Sequence, residues 1–263
     1  MSEMELWQGD CLELMSQIKE YSVDCIICDL PYGTQKKNGC KWDIVLDFNM
    51  LWYQYHRIIK PNGAIVLFGK EPFSSLLRVS NLEEYKYDWI WIKDTKSNFM
   101  QASYQPLNNI ESISVFSKGY AREIDSDMKM VYNPQFTKGD SYKLPKESRT
   151  TEIFSTNHKN GVYKHKERDT QQRYPYCELY FNSVKGKDKV HPTQKPIELL
   201  EYLVRTYTNE SDLVLDNCMG SGTTGVACKK LNRNFIGIEK DENYFKIAKE
   251  RIEKIELDWW EVI

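Results

Sequence analysis

The stretch Val214-Leu215-Asp216-Asn217-Cys218-Met219-Gly220-Ser221-Gly222-Thr223-Thr224-Gly225 decides how the rest of this chain is read. An apolar run enters a glycine-rich turn, and a helix is predicted to begin near Thr223. Gly220, Gly222 and Gly225 fit the G-x-G-x-x-G spacing, in which absent side chains let a ligand approach the backbone closely. Phe235–Glu239 reads as the next strand, and Glu239 stands at its end, where such a motif places an acid for ribose hydroxyls. These residues alone point to an adenosine-containing cofactor, NAD among the choices, with a ligand-free strand-to-helix turn as the alternative. Only 38 residues follow Gly225, too few for the remaining strands of an NAD-binding fold. The rest of the sheet is therefore expected upstream, in a permuted strand order.

Upstream, Val23–Asp29, Ala64–Gly69, Tyr87–Lys93 and Ile113–Ser117 read as buried strands, as does Leu213–Asn217 downstream. Helical stretches are expected at Cys11–Glu20, at Leu46–Lys60 up to the breaker Pro61-Asn62-Gly63, at Pro196–Tyr207 and at Asp241–Ile255. Strands alternating with helices predict an α/β fold with a largely parallel sheet. Residues 119–189 break that rhythm with Tyr132-Asn133-Pro134, Lys138-Gly139-Asp140 and Asn160-Gly161, as a functional loop or small inserted module does. The chain is thus divided into 1–118, an insert at 119–189, and 190–263.

Net charge is −2, yet Lys118 to Lys195 carries 16 Lys/Arg against 10 Asp/Glu, a basic middle on an acidic body. Such a segment suits a polyanion, although charge alone fits a solvated lysine-rich surface better. With 263 residues, 41% hydrophobic and 13% aromatic, a disordered chain is excluded. No apolar run reaches the roughly 20 residues of a membrane helix, and Met1-Ser2-Glu3-Met4-Glu5 has no signal-peptide character. Seven scattered cysteines read as reduced thiols, so a cytoplasmic protein without membrane association is expected.

A second site is Asp29-Leu30-Pro31-Tyr32-Gly33, at the carboxyl end of the first buried strand, the edge where open α/β sheets bind ligands. Leu30 precedes proline and favours an extended backbone that aims its carbonyl outward. A carboxylate, a carbonyl and an aromatic ring suit a planar amine-bearing group; a plain proline-tyrosine turn is the competing reading. Cys25 and Cys28 form a C-x-x-C inside an apolar strand, which favours core packing over metal or redox chemistry. His56, His158, His165 and His191 show no metal-ligand spacing, and no metal is expected. Lys41-Trp42-Asp43 reads equally as a pocket border or a surface loop, and Trp259-Trp260 as packing.

Together, these segments resemble the S-adenosylmethionine-dependent amino-methyltransferases that act on exocyclic amines of DNA bases. Asp29-Leu30-Pro31-Tyr32 is similar to their (D/N/S)PPY motif, and Leu215–Gly225 to their DPFxGSGTT cofactor loop. His191-Pro192-Thr193-Gln194-Lys195-Pro196 resembles the segment before that loop, and the motif order is that of the β group. The resemblance implies a Rossmann-like class I methyltransferase fold, circularly permuted, with a target-recognition insert. It implies that Asp29 and the Leu30 carbonyl accept hydrogen bonds from the target amine, with Pro31 fixing the turn and Tyr32 stacking on a flipped base. For the cofactor it implies Glu239 on the ribose and Asp10, next to Cys11, by the adenine. Asp216, Cys218, Gly220, Ser221, Gly222 and Thr223 would form the loop under the methionine part. Thr193 and Lys195 would lie near its carboxylate, and Asp29 would also touch its amino group. Two departures stand out: Leu30 and Asn217 occupy positions where proline is usual.

The implied reaction is direct in-line methyl transfer to a flipped-out base in double-stranded DNA, without a covalent intermediate. No Pro-Cys pair exists, which argues against the cytosine-C5 enzymes and their cysteine nucleophile. The aspartate-led tetrapeptide favours adenine N6, with cytosine N4, RNA adenine or a protein glutamine amide as alternatives. An inactive DNA-binding relative is the reading from a different class. A homodimer, and a separate restriction endonuclease of the same specificity, are the protein partners this family brings into view.

Overall fold

The computed structural model describes residues 2–34, 43–122, 127–141, 147–149, 162–164 and 171–255. They form two compact units: residues 1–133 with 177–263, and residues 134–176.

The larger unit is built on an eight-stranded sheet. In chain order its elements are β1 (Met4–Gln8), α1 (Cys11–Leu14), β2 (Val23–Cys28), α2 (Phe48–Ile58), β3 (Ile59–Gly69), α3 (Phe73–Ser80), β4 (Tyr85–Ser97) and β5 (Asn108–Phe116). The smaller unit holds β6 (Thr137–Lys138), β7 (Glu147–Arg149), β8 (Val162–Lys164) and β9 (Gln172–Arg173) as two antiparallel pairs, β6 with β9 and β7 with β8. The larger unit resumes with β10 (Glu178–Tyr180), α4 (Ile197–Tyr207), β11 (Leu213–Asp216), α5 (Thr223–Lys230), β12 (Asn234–Glu239) and α6 (Glu242–Glu253). Residues 119–133 and 177–189 of the expected insert thus belong to the larger unit, where β10 pairs with β4 as the eighth strand.

The strand order is β1-β12-β11-β2-β3-β5-β4-β10. Every pairing from β1 to β3 is parallel, and β5 alone runs against its neighbours. This is the largely parallel, permuted α/β sheet expected from the sequence. β2 lies in the middle and is buried on both faces, which is why Val23-Asp24-Cys25-Ile26-Ile27-Cys28 reads as an almost unbroken apolar run. Its residues alternate between two cores. Cys25 and Ile27 face α4, α5 and α6, whereas Ile26 and Cys28 face α1, α2 and α3. The C-x-x-C thiols therefore point to opposite sides of the sheet, and both are free.

Helix starts follow the capping rules at the polar ends. Asp47 accepts hydrogen bonds from the amides of Asn49 and Met50 before α2, and Asp241 from those of Asn243 and Tyr244 before α6. The break after Ile58 is real, but Pro61-Asn62-Gly63 does not open a loop. The chain passes straight into β3, pairing Ile59 with Val23, and the register shifts before Ala64 pairs with Cys25. The first predicted helix is shorter than its pattern, α1 ending at Leu14 and a single 3-10 turn covering Met15–Gln17. Because β1, β2, β11 and β12 run the same way, the residues following their carboxyl ends gather at one edge. Among the described residues no helix is long and apolar enough to cross a membrane.

Candidate active site

At that edge lies a cavity of about 740 Å³, inside the range of small-molecule sites. One wall comes from the turn between β11 and α5. Asp216 ends β11 almost fully buried, with the Thr224 hydroxyl donating to it at 2.7 Å and the Cys218 amide at 3.2 Å. Burial raises its carboxyl to about 7. Gly220 has φ +51°, a conformation suited to glycine, and a Cβ there would point at the His191 ring 3.7 Å away. Its amide donates to Glu239 Oε2 at 2.8 Å, while the Asp241 amide donates to Oε1 at 2.7 Å. Glu239 is thereby fixed by two backbone donors and keeps lone pairs facing the cavity; burial raises its pKa despite them.

Asp10 closes the same wall from the end of β1. It caps α1 through the Leu12 amide at 3.0 Å and pairs with Lys240 at 2.9 Å, and the Lys240 hydrogen bond lowers its pKa. Cys11 and Cys218 also line the cavity, both thiols raised: contact with Cys218 comes before burial for Cys11, and contacts with Cys28 and burial outweigh the opposing Cys11 contact for Cys218. His191 covers the turn, edge-on to Tyr244 at 4.2 Å, with the Thr193 amide donating to its Nδ1 at 3.2 Å. Burial, then Lys195 and Lys189, hold this imidazole neutral down to about 4.

The opposite wall belongs to the tetrapeptide after β2. Asp29 Oδ2 accepts from Lys195 Nζ at 2.6 Å, and Asp29 Oδ1 accepts from the Tyr32 hydroxyl. Burial raises the Asp29 pKa, and the charge of Glu111 adds to it against the pull of Lys195. Tyr32 packs its ring on Phe73, centroids 4.8 Å apart, and its pKa is raised by burial and then by Asp29 and Glu111, so it stays a phenol. Leu30, in the place usually held by proline, is buried in the core facing α1, α2 and α3. Asn217, the other departure, is buried and its Oδ1 accepts from the Tyr55 hydroxyl at 2.6 Å.

The structure thus brings Asp10, Cys11, Asp29, Leu30, Pro31, Tyr32, Thr193, Lys195, Asp216, Cys218, Gly220, Ser221, Thr223 and Glu239 to one cavity. Gly222 does not line it. Its φ of +74° starts α5, and a Cβ there would lie 2.8 Å from that of Ala248, so this glycine serves the packing of α5 on α6. Lys195, expected near the cofactor's carboxylate, lines the cavity and is bonded to Asp29 and Glu111.

Three lining residues were not anticipated in these roles. Glu111 and Lys93 lie within β5 and β4, and Asp43 accepts from the Gly33 amide at 2.8 Å, pinning the turn after Tyr32. The Lys-Trp-Asp triplet that ends in Asp43 was a signal for the last; nothing local marked the other two. His56 pairs with Glu84 at 2.9 Å, and no group of three or more His, Cys, Asp or Glu among the described residues could hold a metal. Lys41, Trp42, His158, His165, Trp259 and Trp260 lie outside the described residues.

The donor set fits an adenosine-bearing cofactor. A half-buried acid held by backbone amides faces a positive-φ glycine turn, and a second acid stands at the neighbouring strand end. A family model described as DNA methylase matches residues 23–250. The chain is 30% identical over 271 residues to the type II methyltransferase M2.LlaDCHI of Lactococcus lactis subsp. cremoris, covering 95% of this chain and 89% of that one. It is 28% identical over 254 residues to the type II methyltransferase M.HpaI of Haemophilus parainfluenzae, covering 93% and 73%. Among solved structures, the complex of M1.HpyAVI with S-adenosylmethionine aligns with a TM-score of 0.59 at 27% identity, covering 95% of this chain and 98% of that one. The cytosine-N4-specific PvuII DNA methyltransferase aligns with a TM-score of 0.65 at 17% identity, covering 97% and 89%, a likeness of fold. With the sheet, the cavity and a match spanning residues 23–250 in agreement, the chain belongs to the N6/N4 DNA methylase family, amino-methyltransferases of class I fold that use S-adenosylmethionine.

Proposed function

We propose that this protein methylates N6 of adenine at a specific site in double-stranded DNA, acting on a base turned out of the helix. The observation that carries this reading is Asp29 with the Leu30 carbonyl and Tyr32 across one cavity from Glu239 and the Gly220 turn. When bound, S-adenosylmethionine supplies a sulfonium methyl group. Glu239 is assigned to the ribose hydroxyls and Asp10 to the adenine side. The turn after Asp216 is assigned to the amino-acid part. Asp29 Oδ1 and the Leu30 carbonyl accept hydrogen bonds from the two N–H groups of the target amine, and Tyr32 offers its ring to the base. An amine conjugated to a purine is a poor nucleophile. Acceptors that strengthen as positive charge develops on its nitrogen stabilise the transition state more than the ground state. Adenine is preferred over cytosine because the tetrapeptide begins with aspartate.

Incubation of unmethylated bacteriophage DNA with the protein and S-adenosylmethionine, followed by nucleoside mass spectrometry, is expected to show N6-methyladenine. N4-methylcytosine in its place rejects the base assignment, and methylation of RNA or protein but not DNA rejects the substrate.

Residues 119–189 are proposed to read the target sequence. They lie within the basic part of the chain, whose Lys and Arg suit phosphate contacts with steep salt dependence. Exchanging them for the matching segment of a relative with another specificity is expected to redirect methylation, read by sequencing for modified bases. A folded chimera that keeps the original site places recognition elsewhere.

A further inference from the structure

The face of the sheet formed by β4 and β5 is apolar until it reaches the cavity. Trp89 pairs with Ile113, and Trp91 with Glu111, so these four side chains share one face with Val115 and Lys93, two residues further along each strand. Trp89, Trp91, Ile113 and Val115 belong to the core that faces α4. Glu111, opposite Trp91, and Lys93, next on the same face of β4, then place opposite charges where apolar side chains would continue the core. Glu111 is 5% exposed. A buried ion pair is seldom a stabilising choice over apolar side chains of similar volume, so packing does not explain it.

What Glu111 touches does. Its Oε2 accepts from Lys93 Nζ. Its Oε1 lies 2.7 Å from Lys195 Nζ and accepts from the Tyr32 hydroxyl at 3.1 Å. Lys195 spans Glu111 and Asp29, and Tyr32 reaches both carboxylates. The chain Lys93–Glu111–Lys195–Asp29 is neutral overall, two ammonium groups against two carboxylates. Burial works against the Glu111 charge, but Lys195 and Lys93 outweigh it and hold its carboxyl down to about 2. Burial also works against Lys195, whose pKa Asp29 and Glu111 nevertheless raise.

In this arrangement both Asp29 oxygens are engaged, Oδ2 by Lys195 and Oδ1 by Tyr32. Each oxygen keeps a further lone pair, so an incoming amine shares Oδ1 with the Tyr32 hydroxyl, for which Glu111 Oε1 at 3.1 Å is a second acceptor. Resting on the methyltransferase reading above, we infer that Glu111, backed by Lys93, is a positioning residue for the transfer. It holds the Lys195 ammonium against Asp29 Oδ2 and shares the Tyr32 hydroxyl, which fixes the direction in which Asp29 Oδ1 offers its remaining lone pair to the incoming amine.

The test is Glu111→Gln in the full chain, with Lys93→Met as a second variant at a less buried position. Single-turnover methyl transfer to unmethylated bacteriophage DNA is measured across pH, with S-adenosylmethionine affinity by calorimetry and folding by thermal melting. Glu111→Gln is expected to slow transfer about 30- to 100-fold, the scale of a misplaced reacting group, with cofactor Kd within about threefold of wild type. Lys93→Met is expected to slow it about 10-fold.

The pH profile separates positioning from a general structural role. The groups facing Asp29 are Lys195, Glu111 and Tyr32, with Cys28 and Asp216 behind it. The Glu111 charge raises the Asp29 pKa, so its removal moves the acid limb of the transfer rate to lower pH while the plateau falls. Both variants within about threefold of the wild-type rate, or a fall that merely tracks lost cofactor binding with the acid limb unmoved, overturns the inference and leaves the methyltransferase reading standing. Should Glu111→Gln not fold, Lys93→Met decides by the same criteria. A folded wild-type protein that transfers no methyl group to DNA overturns the reading itself, and the inference with it.

Discussion

Replacing Asp29 with alanine is expected to slow methyl transfer by about a thousandfold while S-adenosylmethionine still binds. The magnitude is that of losing an aligned group whose bond strengthens in the transition state. Asp29 stands at the end of β2, and its removal leaves Lys195 with Glu111 alone and Tyr32 with a single carboxylate acceptor. The cofactor wall built on Asp216, Gly220 and Glu239 has its own hydrogen bonds and does not lean on Asp29. Asp29→Asn keeps an acceptor oxygen without the charge and is expected to retain more activity than Asp29→Ala, as the asparagine form of the family motif implies. Single-turnover rates with calorimetric binding check this; full turnover by a folded Asp29→Ala protein is incompatible with the mechanism.

Glu239→Ala has the opposite signature. Cofactor affinity is expected to fall about 100-fold, equivalent to about 2.7 kcal/mol and within reach of one or two lost charge-assisted hydrogen bonds. Glu239 also ties the Gly220 turn to the start of α6 through two amides, so its loss releases both donors as well as the ribose contact. Calorimetry reads the affinity, and a melting curve shows whether the sheet persists. Unchanged affinity in a folded variant would remove Glu239 from the cofactor site.

The parts legible in the sequence were those in which one segment carries both the structural and the chemical signal. Val23–Asp29 announces a strand by its apolar run and a site by the aspartate that ends it. The Gly220 turn does the same, and both arrive at one cavity. β1 went unread because Met4–Gln8 is a short edge strand with no fully buried residue, its polar and apolar positions blending into a surface pattern. α3 follows Pro72 with no side-chain cap, so the usual starting signal is missing. Glu111 and Lys93 were invisible for a different reason. Each is a charge inside a strand, and such residues read as solvent-facing until the register of β4 against β5 brings them together. The Gly222 position shows the converse: a glycine inside a ligand motif whose missing side chain makes room for a neighbouring helix.

The sheet order also has a consequence for biosynthesis. Met4–Gln8 lies beside Asn234–Glu239, and the backbone amide of Glu3 is bonded to a side chain 231 positions away. On a translating ribosome the first strand has no neighbour until Asn234–Glu239 has emerged. β2 meanwhile presents an unpaired side where β11 will later slot in, a feature that invites wrong pairings and chaperone attention. Closing contacts of such long sequence separation makes folding slow. Asp29 and Tyr32 emerge well before the Gly220 turn and Glu239, so a chain that stops short of β11 carries only part of the cavity lining. Under the proposed assignment, holding the methyl donor requires a chain that extends through Glu239.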